Sequence, residues 1–138
     1  RIMASIFSKI INREIPGYIV AEDDNNIGIL DINPLVKGHT LVIPKNEVDY
    51  YYDLSETEYE SLNRFSKKLA KAIESVIPCQ RIGVAVVGLE VPHTHIHLIP
   101  LNSMGDINFN RPKLKLSDEE FTDISEKINK AFLALSGD

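Results

Sequence analysis

The spacing of apolar positions changes period several times along the chain. Ser5–Ile11 is a short amphipathic stretch that predicts a helix, and Ile15-Pro16-Gly17 closes it. Tyr18–Glu22 and Ile27–Leu30 read as strands joined by a hairpin turn at Asp23-Asp24-Asn25-Asn26. Asn33-Pro34 and Lys37-Gly38 bracket a further turn, and His39–Ile43 reads as a buried strand stopped by Pro44. Three strands in such close succession favour an antiparallel meander. The period then becomes three and four. Leu62, Phe65, Leu69, Ile73 and Val76 line one face of a long helix, opened by a capping box at Ser55 and Glu58 and ended by Pro78. Arg81–Val87 and Val91–Leu101 are two more strand-like runs. Met104–Pro112 reads as an irregular polar loop. Ser117 and Glu120 repeat the capping signal ahead of Phe121, Ile124, Ile128 and Leu135, which mark a C-terminal helix. The sum is an α+β domain with about five antiparallel strands, one long helix on a face of the sheet, and a C-terminal helix.

No repeat or linker interrupts this pattern, and 138 residues suit one domain spanning residues 1–138. Arg1-Ile2 before Met3 reads as an expression scar. The net charge of −5 argues against a general nucleic-acid binder, which needs a basic patch, but leaves room for one small anionic ligand. A single cysteine, Cys79, excludes an intrachain disulfide framework and a Cys-rich zinc module. No apolar run reaches the roughly 18 residues of a membrane span, and no signal-peptide pattern opens the chain. A cytoplasmic protein without a membrane partner is the expectation.

Three of the four histidines fall in five residues, His93-Thr94-His95-Ile96-His97. On a strand, alternate residues share a face, so the three imidazoles point one way and Thr94, Ile96 and Leu98 the other. A row of imidazoles is costly to bury unless each has a partner. Three surface or core histidines placed so by accident make one reading. A metal site is a second. A strand rise of about 3.3 Å per residue puts His93 and His97 roughly 13 Å apart, so all three cannot meet one ion. Two could, given a third ligand from Glu90, His39 or Asp31. The third reading is phosphorus chemistry. A neutral imidazole is a good nucleophile near pH 7, and flanking imidazoles can hold phosphate oxygens and a leaving group.

On these residues the chain resembles the histidine triad (HIT) superfamily, whose signature alternates three histidines with apolar residues. Thr94 is the weak position in His93–Ile99. The opening segment Ser5–Asp24 and the stretch Leu30–Lys45 (LDINPLVKGHTLVIPK) also resemble the family, in its order and nearest to the Hint-like bacterial branch. Likeness extends from Ala4 to Leu101, and residues 102–138 form an atypical tail. The resemblance implies a HIT-like fold. It implies that His95 attacks the α-phosphorus, that His97 contacts a phosphate oxygen, and that His93 stands near the leaving group. His39 either completes the cluster or supports it. Asp31 matches the carboxylate that binds ribose hydroxyls. Phe7, Ile10, Ile15 and Leu41 match the apolar walls of the base pocket, with plain core as their alternative.

Two departures stand out. Many bacterial relatives hold a structural zinc with Cys-x-x-Cys and a later His; this chain has Ser5, Ser8 and Glu47 there, so no metal is expected. The stretch before the triad is shortened. Leu89, followed by Glu90, takes the place of a Gln near the phosphate or leaving group, and Leu has no donor to offer. The implied function is cleavage of nucleoside phosphoramidates, or related nucleoside 5′-phosphate derivatives, through a nucleotidyl-histidine without a cofactor. A non-catalytic purine-nucleotide-binding module and a dinucleoside polyphosphate hydrolase of the Fhit type are the alternatives. The resemblance, the long helix and the Tyr50-Tyr51-Tyr52 cluster together point to a homodimer.

Overall fold

A computed structural model describes residues 4–135; Arg1-Ile2, read above as an expression scar, lie outside the described residues. Helix α1 (Ile6–Ile11) begins at Ser5, whose hydroxyl accepts the Ser8 N–H. Strands β1 (Ile19–Glu22) and β2 (Asn26–Leu30) form a hairpin. The Asp23 carboxylate stabilises its turn by accepting the N–H groups of Asn25 and Asn26. Strand β3 (Thr40–Pro44) completes the expected meander. Helix α2 (Glu56–Val76) and helix α3 (Asp118–Ala134) both open with the capping boxes read from the sequence, Ser55 with Glu58 and Ser117 with Glu120. Strand β5 (Ile96–Leu101) lies beside β3, and β4 (Arg81–Ala85) pairs outside it. The five-stranded antiparallel sheet therefore runs β1-β2-β3-β5-β4.

The sheet buries both faces, and strand alternation assigns the side chains. Val20, Leu30, Val42, Ile96 and Leu98 face α2 and α3, packing on Leu62, Phe65, Leu69, Ile73, Phe121 and Ile128. Ile27, Ile29, Leu41 and Ile43 face the other way and pack on Phe7 and Ile10 of α1. The register carries one row across this second face: Ile19 opposite Ile29, Ile29 opposite Leu41, Leu41 opposite His97, and His97 opposite Ala85. An imidazole thus continues an apolar row. Gly38, with φ of +90°, makes the turn that delivers His39 to the start of β3.

Five expectations change. His39 lies just before β3, and β4 ends at Ala85 instead of Val87. The expected strand Val91–Leu101 starts only at Ile96. Pro92 lacks an N–H, and the Thr94 N–H and hydroxyl both bond the Val48 carbonyl, so 91–95 is tied to a loop instead of a ladder. Leu135 caps α3 from outside, and Phe132 fills the core position. Within the expected loop Met104–Pro112, Met104–Ile107 form a 3₁₀ turn. Among the described residues, no helix is long and apolar enough to cross a membrane.

Gly28 lets α2 approach the sheet, because a Cβ there would press into Leu69 Cδ2 and Val20 Cγ2. Gly28→Ala is expected to lower stability by about 1–3 kcal/mol, as overpacked cores do. A urea unfolding midpoint equal to that of the parent chain would refute this close packing.

Candidate active site

The four histidines gather where the end of the 86–95 loop meets β3 and β5. All are buried, with His93 0% exposed. A hydrogen bond to one nitrogen of a neutral imidazole fixes which nitrogen carries the proton, and here such bonds make the assignment. The Leu35 N–H donates to His39 Nδ1 at 3.0 Å. The proton of neutral His39 therefore sits on Nε2, which lies 2.9 Å from His97 Nδ1 and donates to it. His97 in turn carries its proton on Nε2. A backbone amide thus sets two tautomers in series and leaves His97 with an N–H donor. The opposite outcome holds for His95. Its Nδ1 lies 2.7 Å from the His93 carbonyl, which can only accept, so Nδ1 is protonated and Nε2 keeps its lone pair. The rings of His95 and His97 are 5.0 Å apart. The lone pair of His95 and the N–H of His97 thus belong to neighbouring rings.

The depth of burial keeps this relay neutral. Burial is the largest cause that lowers His39 to about 3, with His97, Lys113 and His95 adding to it. Burial and then His95 lower His97 to about 4. Asp31 lies beside the pair, its Oδ2 3.6 Å from His39 Nε2 and its Oδ1 accepting the Asn33 N–H at 2.9 Å. Burial raises the Asp31 carboxyl above its ordinary value against several opposing contributions, and Glu90 adds slightly to the rise.

Ligand atoms of Asp31, His39 and His97 all fall within 4.8 Å of one another, which is the grouping a metal would use. The proton assignment argues against that use, because His39 turns a donor toward the other two and not a lone pair.

The His93 ring is held at both of its nitrogens. Its Nε2 donates to the Pro44 carbonyl at 2.8 Å, and its Nδ1 is 2.6 Å from the Ser5 hydroxyl. Both nitrogens are engaged, and the strand spacing of about 3.3 Å per residue does not apply across the bend. Ser5 and Glu47 meet at this ring, and Ser8 is bonded to Glu47 behind them. Glu47 Oε1 accepts the Ser5 N–H at 2.9 Å and the Ser8 hydroxyl at 2.7 Å, and lies 3.8 Å from His93 Nδ1. These hydrogen bonds clasp α1 to the histidine segment.

Phe7 reaches both first histidines edge-on, at 5.9 Å from His93 and 5.0 Å from His95. Phe7, Ile10 and Leu41 are buried together, with Ile15 partly buried against them, as one apolar cluster under the site. Leu89 is not gathered in. It is 88% exposed on the bend before His93, and Glu90, exposed beside it, reaches the site only through its charge on Asp31. Two residues escaped the sequence reading. The Phe109 ring lies 4.9 Å from that of His97 and 6.4 Å from that of His39. Lys113 is close enough to act electrostatically on His39 and Asp31. The one visible signal was an aromatic residue inside an otherwise polar loop.

With this geometry in view, comparisons with known proteins are informative. The HIT domain family matches residues 12–104. An uncharacterized HIT-like protein of Borreliella burgdorferi is 38% identical over 132 residues, covering 90% of this chain and 95% of that protein. An adenosine 5′-monophosphoramidase of Schizosaccharomyces pombe is 34% identical over 130 residues, covering 92% and 97%. The crystal structure of a Hit-like protein involved in cell-cycle regulation from Bartonella henselae superposes with a TM-score of 0.79 at 30% identity, covering 92% and 95%.

Depressed histidines give a signed pH dependence. A folded-state value below the unfolded 6.5 contributes stability that is whole above pH 6.5 and is lost as pH falls toward about 4 and about 3. Raised Asp31 works in the opposite sense. Nuclear magnetic resonance titration should therefore keep the His39 and His97 ring signals in their neutral positions down to pH 5. A midpoint near 6.5 for either would contradict the buried relay.

Proposed function

The chain belongs to the HIT family, and we propose that it is a nucleotide-binding phosphohydrolase acting on nucleoside phosphoramidates or related nucleoside 5′-phosphate derivatives. The observation that carries this reading is the tautomer of His95, whose Nδ1 is committed to the His93 carbonyl and whose Nε2 is a lone pair beside the His97 donor. In this reading His95 Nε2 attacks the α-phosphorus. The bond to the leaving amine breaks, and the amine departs with its electron pair and takes a proton. The His97 N–H bonds a non-bridging oxygen as charge develops. Water then attacks phosphorus, the P–N bond to His95 breaks, and a nucleoside monophosphate leaves. Asp31 accepts the ribose hydroxyls, and Phe7, Ile10, Ile15 and Leu41 form the apolar floor for the base. His39 acts through His97, and His93 acts through its carbonyl on His95 as a positioning residue. No step calls for a cofactor.

A nucleotide-binding module without turnover is the second reading, and exposed Leu89 favours it, since no donor stands where a leaving group would be met. Turnover of an adenosine phosphoramidate separates the two readings, and comparison with diadenosine polyphosphate separates the Fhit-type alternative. His95→Asn is expected to abolish covalent nucleotidylation and lower kcat by about 10³-fold or more, while AMP binding survives. His97→Ala should cost less, because it assists without forming the bond. Hydrolysis by His95→Asn at the parent rate would remove His95 as nucleophile.

The homodimer also belongs here, on a surface that keeps part of the tyrosine cluster and adds strand β4 in place of the α2 face. The apolar face of α2 is buried in the core, and Tyr51 is half-buried against Asn63. Tyr50, Tyr52, Val84, Val86 and Val87 remain exposed, and β4 is an edge strand. An exposed apolar edge invites pairing with a second copy. Sedimentation at micromolar concentration should find a species of twice the chain mass, reduced to the monomer by Val84→Asp with Val86→Asp. A parent chain that sediments only as monomer would end this reading.

A further inference from the structure

The chain beyond residue 104 lies outside the stretch matched to the family, yet it returns to the histidines. Its course is pinned at several points. Asp106 Oδ2 accepts the N–H groups of Asn102 and Ser103 at the end of β5. The Arg111 guanidinium donates to the Gly105 carbonyl at 2.7 Å and to Asp106 Oδ1 at 3.2 Å. The Leu114 N–H donates to the Pro34 carbonyl at 2.8 Å, on the turn that leads to His39. The segment therefore bridges from the end of β5, which carries His97, to the loop that carries His39. Phe109 sits at the middle of the bridge, edge-on to His97 and farther from His39. Lys113 Nζ donates to the Phe109 carbonyl at 2.5 Å and to the Arg111 carbonyl at 3.2 Å.

We propose that Phe109 is a positioning residue of this site: its ring holds His97 and shuts water from the His39–His97 hydrogen bond, while Lys113 clamps the backbone that carries it. The proposal rests on the reading of His97 as the donor to phosphate. An aromatic ring is suited to the task. It removes solvent without offering a competing donor or acceptor, and its edge meets an imidazole favourably at this separation. Dryness matters because the relay works only while both rings are neutral. A protonated His97 could no longer accept from His39, and the tautomer set by Leu35 would be lost. The charged and titratable groups around the pair are His95, Asp31 and Lys113, with Glu90 acting on Asp31. Burial outweighs each of them at both rings, so uncovering the rings should have the largest effect. A tail residue that only filled space would change stability and leave the titration of His97 where it was.

The test is a titration of the His97 ring by nuclear magnetic resonance in the parent chain, Phe109→Ala, Phe109→Leu and Lys113→Met, paired with the pH profile of kcat/KM on an adenosine phosphoramidate. Phe109→Ala should move the His97 midpoint up by about one unit or more, a tenfold change in its proton affinity, and carry the acid limb of kcat/KM with it. Phe109→Leu should restore most of the parent value, because it covers the same rings with apolar atoms. Lys113→Met, a change at an exposed side chain, should raise His97 by less and report on the clamp even if Phe109→Ala folds poorly. An unchanged His97 midpoint in folded Phe109→Ala and in Lys113→Met overturns the proposal. Absence of turnover in the parent chain counts against the phosphohydrolase reading alone, and the ring titrations still decide the role of Phe109.

Discussion

A hydrogen bond between two buried imidazoles, His39 to His97, joins the start of β3 to β5 and settles how the site can behave. Each bond dictates the next. The Leu35 amide supplies a donor to His39, His39 supplies one to His97, and His97 is left with a donor of its own. His95 receives the opposite instruction from the His93 carbonyl. Two chemically identical side chains, two residues apart, thereby take complementary roles.

The sheet makes this bond possible by giving His97 an apolar row to stand in. Leu41 lies directly opposite it, and Ile29 and Ile19 extend the row toward α1. The same pleat sends Ile96 and Leu98 into the core under α2 and α3. The site is thus built on the less deeply covered face of a sheet that is rigid on the other. Its precision comes from strand register, and a slip of one residue would exchange His97 for a core isoleucine or leucine.

Around the outer histidine, hydrogen bonds connect helix α1 to the histidine segment. Ser5, Ser8 and Glu47 converge on His93, and the buried ring gains a partner at each nitrogen. The consequence for chemistry is indirect. A fixed His93 backbone presents its carbonyl to His95 at 2.7 Å, so the attachment of α1 and the orientation of the His95 ring are one structural event. The tail makes a comparable connection on the opposite side, through Phe109 against His97.

Sequence by itself was enough for whatever local chemistry controls. The period of Leu62, Phe65, Leu69 and Ile73 and the capping serines marked α2 and α3 to within a residue or so at their starts, because caps and amphipathic faces act within a few residues. Short strand-forming runs punctuated by turn residues marked the meander for the same reason, and the spacing of three histidines marked a cluster of imidazoles. Tertiary structure decided what depended on partners distant in the chain. His93 and His95 left the expected strand because Val48 captured Thr94 across the fold. His93 became a buried support because Ser5 and Pro44 reached it from 88 and 49 residues away. Leu89 stayed in solvent, and Phe109 came to rest on His97, because loop paths follow from packing and not from composition. The tautomers belong to this second class as well. An imidazole carries its proton on either nitrogen at nearly equal cost, so only the group that the fold places against it can choose.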